Sequence, residues 1–396
     1  MSAQNLDPGQ YFPCFQPIID LVTGHIEGYE ALARYRDQTG RLRSAGALFH
    51  SQGPDQNAIL AIDRQIRTLA LQHFAEHPEA GYLTLNISPD WIDRLRGDTS
   101  PTIAMIEAIG IDPHRVVIEI TEGRGDLKQI ERVVSEYRNA GLRVAIDDFG
   151  AGASQVDRII ALKPDLLKLD MRMFKDAALG GIGADVTLAA ADIAQRVGCD
   201  IVCEGVETEP ELHFGIECGA RYIQGFLFHP ALEKTLAADQ ELPAVRGLQA
   251  SFLKRKTELL RNITTHNHRI RNQVMDIRQH LGADRAQELS APGLFQNGIL
   301  RYYLCQPDGT QISDNIEVRP NRFEHHPRYR QCNWSHRPYF PLLVALDTAL
   351  THRVVVSDSY RDSTSDQMCK TYATYIRDDL ILLVDVTVDD EVLYAS

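Results

Sequence analysis

Over roughly the first 230 residues, short apolar runs alternate with longer segments in which apolar residues follow a helical spacing. The strand-like runs are YLTLNIS (82–88), RVVIEITE (115–122), LRVAIDDFGAG (142–152), PDLLKLD (164–170), DIVCEGVET (200–208) and RYIQGFLFHP (221–230). One helical stripe consists of Ile59, Ile62, Ile66, Leu69 and Phe74. Apolar strands that alternate with helices are typical of a parallel sheet covered by helices. About seven such units predict a closed (β/α)8 TIM-like barrel.

The chain begins this series with a hairpin. In QPIIDLVTGHIEGYEALARY (16–35), Thr23-Gly24 separates two runs that alternate apolar and polar residues, which predicts an antiparallel first strand. Glu30 lies in the second run between apolar neighbours, four positions before Arg34. Burying a carboxylate there is costly unless a cation meets it. The pattern therefore predicts a cationic partner for Glu30.

The pattern changes after the predicted barrel. Residues 246–282 carry an intermittent apolar stripe in a long polar segment, which predicts one long helix. Strand-like runs follow from about residue 290, with the hairpin turn Asp308-Gly309, and a helical segment lies between them. The predicted organisation is a barrel over 1–240, a helical linker over 241–285 and a smaller α+β domain over 286–396.

Composition and charge narrow the class of protein. Hydrophobic residues make up 44% and charged residues 24%, as in ordinary soluble globular proteins. The net charge of −13 opposes sequence-independent binding to nucleic acid. No apolar run approaches the ~18 residues of a membrane span, and no secretory leader is visible. The seven scattered cysteines lack zinc-like spacing. We expect a cytoplasmic protein with reduced thiols, no nucleic-acid partner and no membrane span.

Polar side chains recur where the predicted strands end. They are Asn86, Glu119, Glu122, Asp147, Asp148, Lys168, Asp170, Glu204, Glu207 and Gln224, with Glu30 on the hairpin. The carboxyl ends of barrel strands converge on one face, where active sites lie. A single acid there is more often a solvated loop residue or a helix cap, but a recurring set would repel itself without cations. Oxygen ligands favour Mg²⁺ or Mn²⁺ over zinc, and two such ions beside a lysine suit phosphodiester hydrolysis.

The ordered motifs QPIIDLVTGHIEGYEALARY, LNIS, IEITE, AIDDFGAG, PDLLKLD, CEGVE and QGFLF resemble those of the EAL-domain cyclic di-GMP phosphodiesterases. Glu30-Ala31-Leu32 is the triplet that names this family, and the resemblance spans about residues 10 to 235. It implies a barrel with a reversed first strand, hydrolysis of cyclic di-GMP to linear pGpG, two Mg²⁺ or Mn²⁺ ions per site, and a homodimer through the EAL domain.

The resemblance also implies roles for single residues. The implied metal ligands are Glu30, Asn86, Glu119, Asp147 and Asp148. The implied catalytic residues are Lys168, which would hold the attacking water, with Asp148, Glu204, Glu207 and Gln224. The implied substrate contacts are Gln16, Leu32 and Arg34, and Glu122 would anchor the loop after Asp148. Arg34 would bind a phosphate, although a surface ion pair of little consequence is its plain alternative.

The loop DFGAGASQ departs from the family pattern at Ala153 and Gln155, which leaves dimer coupling and loop ordering open. Two other functions stay in view. A silent cyclic di-GMP receptor would keep the barrel and the nucleotide but would not release product. A glycosidase needs only two suitably separated carboxylates, so it gives no reason for Asn86 or Lys168.

The second domain carries a weaker resemblance. NWSHRPYF followed by SDSYRD is similar to small-ligand pocket motifs of PAS- and Cache-like sensors. This resemblance implies that the domain regulates the barrel and binds an unknown small ligand. The implied pocket residues are Trp334, Arg337, Tyr339, Asp358 and Tyr360. The alternative is that the aromatic residues belong to the core and that Arg337 makes a structural ion pair.

Overall fold

The structure is a computed structural model, and the chain forms two compact units, Met1–Phe252 and Leu253–Ser396. The residues that it describes are 7–49, 56–87, 100–121, 126–150, 156–283, 298–319, 322–345 and 353–388. Among these residues, none of the helices combines the length and apolar composition that crossing a bilayer requires.

The first unit is a closed barrel. In the described part of the chain its strands are β1 (Tyr11–Asp20), β2 (Ile26–Arg36), β4 (Tyr82–Ile87), β5 (Val116–Ile120), β6 (Arg143–Phe149), β7 (Leu166–Leu169), β8 (Asp200–Cys203) and β9 (Tyr222–Ile223). They follow the order β1-β9-β8-β7-β6-β5-β4-β2, and the β1–β2 pairing closes the ring, while the short β3 (Leu42–Ser44) extends β2. Strand β1 is antiparallel to both neighbours, which confirms the reversed first strand.

Helices cover the barrel strands. They are α1 (Gly46–Phe49), α2 (Gln56–Glu76), α3 (Pro101–Ile109), α4 (Leu127–Asn139), α5 (Val156–Leu162), α6 (Met171–Ala178), α7 (Ile182–Arg196) and α8 (Glu209–Glu217). The predicted stripe of α2 is buried except at Leu69, which is exposed because it lies at the edge of that face. Helix α4 begins after Asp126, whose side chain accepts a hydrogen bond from the Lys128 backbone N–H at 3.2 Å.

Inside the barrel, an apolar layer lies below a polar one. The apolar layer consists of Ile18, Tyr82, Val117, Ala145, Leu166, Val202 and Tyr222. Side chains two positions apart in a strand share a face. Two positions further along five of these strands stand Glu119, Asp147, Lys168, Glu204 and Gln224. The apolar layer therefore fills one end of the barrel and leaves the charged groups at the carboxyl ends of the strands.

The last barrel strand is shorter than its apolar run predicted, because the chain turns after Gln224. Val206 donates its backbone N–H to Gln224 O at 3.1 Å and accepts from Leu227 N at 2.9 Å. A Cβ atom on Gly225 would lie 2.0 Å from Val206 O, so only glycine permits this backbone contact. The segment therefore closes over the strand end instead of continuing β9.

The second unit is a seven-stranded antiparallel sheet with a helix on each face. Its strands in the described residues are β10 (Ile299–Cys305), β11 (Asn315–Arg319), β12 (Arg322–His326), β13 (Val355–Val356), β14 (Tyr360–Arg361), β15 (Met368–Arg377) and β16 (Leu380–Thr387). Helix α9 (Leu242–Ala283) starts in the first unit and ends in the second, and α10 (Tyr339–Ala345) lies within the second.

Alternation along β16 builds both layers of this unit. Leu382 and Val384 contact one apolar cluster that includes Ile270, Val274 and Ile277 of α9. Ile381 and Leu383 join the opposite cluster, which includes Phe340 and Leu343 of α10. Because successive strand residues point to opposite faces, a continuous apolar run such as LILLV supplies two cores at once. The sequence therefore predicted the mixed α+β character correctly.

Candidate active site

Lys168 lies at the centre of the polar layer, and only 1% of its surface is exposed. Its Nζ lies 3.2 Å from Glu30 Oε2, 2.9 Å from Glu119 Oε2, 3.4 Å from Asp147 Oδ1 and 2.5 Å from Glu204 Oε1. The cationic partner expected for Glu30 is therefore this lysine, which comes from the opposite side of the ring of strands. One ammonium group faces four carboxylates.

Glu30 is fixed by two amides as well as by Lys168. Asn86 Nδ2 donates to Glu30 Oε1 at 2.7 Å, and Gln224 Nε2 donates to Glu30 Oε2 at 2.8 Å. Gln224 Nε2 also lies 3.2 Å from Gln16 Oε1. Burial alone would raise the pKa of Glu30, but the Lys168 charge and the two amide hydrogen bonds lower it. Glu30 is thus held as an oriented carboxylate anion.

The single positive charge of Lys168 does not balance the other acids of the cluster. Burial, reinforced by the Glu30 charge, raises the pKa of Glu119 well above its ordinary value. Burial likewise raises the pKa of Asp147 and brings that of Glu204 to about 8, although Lys168 opposes both shifts. Lys168 itself would be neutralised by burial, but the surrounding carboxylates raise its pKa well above its ordinary value. The cluster therefore favours additional cations.

The donor set fits a divalent cation. One carboxylate oxygen each from Asp147, Asp148 and Glu204 can be chosen so that all three lie within 4.8 Å of one another. The oxygens of Glu119 are buried and accept no hydrogen bond from the described part of the chain, so the Lys168 ion pair is their only polar contact there. Carboxylate and amide oxygens are the ligands of hard cations. This arrangement suits Mg²⁺, Mn²⁺ or Ca²⁺ better than zinc.

Asp148 and Gly150 turn the chain sharply beyond β6. Asp148 has φ +56° and Gly150 has φ +113°, both uncommon for residues with a Cβ atom. A Cβ on Gly150 would lie 2.2 Å from Met173 Sδ, the mobile end of a side chain that can move aside, so the positive φ is the main reason why glycine stands there. Burial, with the Asp147 charge, raises the pKa of Asp148 to about 6. The turn thereby sets two consecutive carboxylates at the barrel mouth.

Comparison with known proteins identifies the family of the barrel. The family described as EAL domain matches residues 2–231, more than half of the chain. The chain belongs to the EAL-domain family. A second family, described as EAL-domain associated signalling protein domain, matches residues 248–395. The EAL-domain family that the sequence motifs predicted is therefore confirmed.

Individual relatives extend this result. YkuI of Bacillus subtilis, an uncharacterised EAL-domain containing protein, is 26% identical over 385 residues, which are 94% of this chain and 93% of YkuI. The crystal structure of YkuI in complex with substrate c-di-GMP and calcium has a TM-score of 0.86 at 24% identity and covers 97% of this chain and 98% of YkuI. The probable cyclic di-GMP phosphodiesterase PdeB of Escherichia coli is 30% identical over 226 residues, 56% of this chain but only 42% of PdeB. The structural similarity shows a shared fold.

Not every predicted site residue of the EAL domain joins the cluster. Glu207 is exposed and its Oε1 lies 2.7 Å from Lys175 Nζ, because the chain has left the barrel axis after Glu204. Asp170 caps α6 by accepting from the backbone N–H groups of Arg172 and Met173. Glu122, Ala153 and Gln155 lie outside the described residues.

The predicted substrate contacts lie along the first hairpin of the EAL domain. Gln16, Leu32 and Arg34 are all partly buried, and Gln16 pairs with Glu30 across the two strands. In the described part of the chain, Arg34 makes one side-chain hydrogen bond, from Nη1 to Ala33 O at 2.9 Å. Its other N–H groups remain available for a ligand.

A polar connection that the sequence did not predict joins the EAL-domain cluster to the start of α9. Gln16 Nε2 donates to His229 O at 3.3 Å, and His229 Nε2 lies 2.8 Å from Glu241 Oε1. Glu241 directly precedes α9, and its backbone carbonyl accepts from Val245 N at 2.9 Å. No local pattern signals this contact, because it depends on the turn that follows Gln224.

The predicted sensor-pocket residues are partly brought together in the second unit. Arg337 Cζ lies 5.8 Å from the ring centre of Trp334 and 5.2 Å from that of Tyr360. Tyr339 is buried below them, and burial raises its pKa to about 12. Asp358 is exposed. The alternative interpretation holds in part, because Tyr339 belongs to an apolar cluster against which Trp334 packs. The ion pair that it expected for Arg337 is not formed with any residue in the described ranges.

Proposed function

We propose that this EAL domain hydrolyses cyclic di-GMP to linear pGpG with the help of two divalent cations per site, Mg²⁺ or Mn²⁺. The observation that carries the proposal is the buried Lys168 ammonium within 3.4 Å of four carboxylates, in a cluster that retains an excess of acid. The YkuI structure with c-di-GMP and calcium, and the relationship to PdeB, support the same substrate.

The ligands that we propose for the cations are Glu30, Asn86, Glu119, Asp147 and Asp148, with Glu204 beside them. A divalent cation bound there would neutralise phosphate charge and lower the pKa of a coordinated water. The all-oxygen donor set supports this assignment, and so do the buried oxygens of Glu119, whose polar contact within the described residues is the ion pair with Lys168.

We assign the other steps of the reaction to side chains of the cluster. Because its neighbours keep Lys168 charged, its ammonium can only donate hydrogen bonds, so it orients the attacking water and does not accept a proton. The proton acceptor must then be one of the adjacent carboxylates, and Glu204, at 2.5 Å from Lys168 Nζ, is placed for this role. Gln224 keeps Glu30 oriented.

Substrate binding is assigned to the hairpin. A guanidinium offers a planar fork that fits a phosphate, and Arg34 has donors left after its bond to Ala33 O. We assign Gln16 and Leu32, on the paired strands, to contacts with the rest of the nucleotide. Glu207 is a supporting residue in this proposal, from its position beside α6 and α8.

We infer that the signalling domain regulates the barrel through α9. This inference is supported by the connection from Glu30 through Gln224, Gln16 and His229 to Glu241, which ends where α9 begins. A homodimer through the EAL domain is proposed from the family resemblance alone. A cytoplasmic location is proposed because the cysteines of the described residues are free thiols.

The replacement Asp147→Asn tests the proposed chemistry. It removes one carboxylate charge from the cluster and should lower the rate of pGpG release by more than about a hundredfold. Losing a residue that only supports a metal ligand already costs up to about a hundredfold, and Asp147 is proposed as a ligand itself. Release of pGpG is measured by chromatography with Mn²⁺ in excess. The matched control is Asp192→Asn, because Asp192 is an exposed acid that pairs with Arg196 on α7.

Two outcomes would count against the assignment. Unchanged turnover in D147N would mean that the metal site is misassigned. Binding of cyclic di-GMP by the unmodified chain without any product, under the same conditions, would identify a silent receptor instead of an enzyme.

A further inference from the structure

The first turn of helix α6 lies between the two loops that carry Asp148 and Glu204. Strands β6, β7 and β8 are neighbours in the barrel in that order, and α6 begins at Met171, shortly after β7 ends at Leu169. Asp148 lies at the end of β6, and Glu204 directly follows β8. Side chains in the first turn of α6 can therefore reach the chain on both sides of the helix.

Met173 packs against the loop that follows Asp148. Its Cε atom lies 2.5 Å from the position that a Cβ atom would take on Gly150, two residues after Asp148. Gly150 stands there for its positive φ, and because it has no side chain the methionine contacts the backbone of the loop directly. Met173 is partly buried and also packs against the barrel core. Its side chain therefore fills the space between α6 and this loop.

Met171 has the same relation to the loop that follows Glu204. Its Sδ atom lies 2.5 Å from the position of a Cβ atom on Gly205, which directly follows Glu204 and has φ +64°. The Met171 side chain is 43% exposed, so it contributes little to the free energy of unfolding through burial of apolar surface. Truncating Met171 should therefore leave the barrel folded and change mainly the freedom of this loop.

Helix α6 is itself fixed at its start. Asp170 caps the helix by accepting from the backbone N–H of Met173 at 2.9 Å, and its own backbone N–H donates to Phe149 O at 3.0 Å. Phe174 is fully buried, and its ring centre lies 5.6 Å from that of Phe214 on α8. A helix that is anchored in this way can hold the two loops that its methionines contact.

We propose that Met171 and Met173 are positioning residues of the EAL domain, a role that rests on the function proposed above. By packing against the two loops, they hold the carboxylates of Asp148 and Glu204 near that of Asp147, so that one oxygen of each lies within 4.8 Å of the others. Methionine suits this role because its unbranched thioether fills irregular gaps. A binding site tolerates displacements of only about 0.5 Å, so extra room beside either loop should weaken the site.

The test measures Mn²⁺ affinity of the full chain, by electron paramagnetic resonance of the free ion, beside the rate of pGpG release. Met173→Ala should weaken Mn²⁺ binding about tenfold, within the range for residues that orient metal ligands. Met171→Ala should lower the rate of pGpG release about tenfold and weaken Mn²⁺ binding less, because Glu204 is the proposed proton acceptor. Met173→Leu and Met171→Leu keep the apolar volume and should restore most of each loss.

Met105→Ala is the matched control. Met105 lies on α3, where it is partly buried against the same barrel core and its Sδ lies 3.9 Å from Thr68 Oγ1 of α2. Its truncation should lower the thermal stability of the chain without changing Mn²⁺ affinity or the rate of pGpG release. Thermal unfolding without metal gives the stability of each variant, and the half-exposed Met171 keeps the test decisive even if M173A does not fold.

The outcomes separate this proposal from the proposed reaction. If the unmodified chain binds Mn²⁺ but releases no pGpG, the proposed hydrolysis fails while Mn²⁺ affinity still tests the positioning role. The positioning role is overturned if M171A and M173A keep the Mn²⁺ affinity and the rate of the unmodified chain, if the leucine variants lose as much as the alanine variants, or if M105A loses equally. An unmodified chain that binds no Mn²⁺ would overturn both proposals.

Discussion

At the scale of single residues, both units bury more acid than base, with different outcomes. In the EAL domain, Lys168 leaves acids over, and their pKa values rise. In the second unit, Asp385 is buried with a hydrogen bond from Thr371 and a distant Arg301, and burial raises its pKa to about 6. Asp362 behaves in the opposite way, because hydrogen bonds from Ser365 and the Arg301 charge outweigh its burial and lower its pKa.

Asp385→Asn should therefore remove a pH dependence of stability. Since the folded pKa of Asp385 is about 6 and its ordinary value is 3.8, the folded unit binds the proton more tightly than the unfolded chain. The free energy of unfolding of the second unit should fall as pH rises from about 4 to about 6, by about 1.4 kcal/mol for each unit of pKa difference. Denaturant unfolding followed by Trp334 fluorescence measures this fall, in a Trp91→Phe background because the sequence has two tryptophans.

Asp362→Asn is the control for this prediction. Because the pKa of Asp362 is lowered on folding, its contribution is present at higher pH and is lost as pH falls, so D362N should keep the decline between about pH 4 and about pH 6. A decline of equal size in D385N would contradict the assigned role of Asp385.

The types of residue at the barrel mouth could be predicted, but their partners could not. Strand-end positions in successive units were enough to group Glu119, Asp147 and Lys168, because barrel strands converge at one end. The pairing of Glu30 with Lys168 joins residues 138 positions apart, so no local pattern contains it. Asp385 was missed, although an acid inside the run LILLVDVTV signals a buried carboxylate that needs partners.

At the scale of elements, the connection into α9 is the feature with most bearing on regulation. His229 and Glu241 lie on the segment that follows β9, and they tie Gln16 to the first turn of the helix. Burial of Val245 in the barrel core fixes that turn further. A displacement of the start of α9 would reach Gln224 through three hydrogen bonds and Glu30 through a fourth.

Glu241→Ala tests this connection. Losing the acceptor for His229 should lower the rate of pGpG release by about two- to tenfold, the cost of one hydrogen bond of about 0.5–1.5 kcal/mol. The matched control is Glu258→Ala, because Glu258 is exposed on the same helix. If E241A and E258A release pGpG at equal rates, the connection does not influence the site.

Elements with a strong repeating pattern were predicted well, and those set by distant contacts were not. The long helix expected over 246–282 is observed as Leu242–Ala283. Strand β9 was expected to reach residue 230 but ends at Ile223, because the backbone of Val206 captures the chain at Gln224 and Leu227. Apolar runs alone cannot distinguish a strand from a buried turn when the deciding contact is with another loop.

At the scale of the whole molecule, the chain combines an EAL domain with a signalling domain on one continuous helix. The acid cluster around Lys168 has the same sign as the net charge of −13 of the whole chain, but its charges lie within a few ångströms of one another. Cations bound there would stabilise the folded EAL domain as well as serve the reaction, since binding to the folded state alone adds to its stability.

The most direct test of this account is a chromatographic assay of purified full-length chain with cyclic di-GMP and Mn²⁺, repeated after adding a chelator in excess. We predict that pGpG accumulates with Mn²⁺, that the chelator stops it, and that renewed Mn²⁺ restores it. Product that forms equally well in the chelator, or nucleotide that is bound but never opened, would contradict the claim that the acids around Lys168 hold cations for hydrolysis.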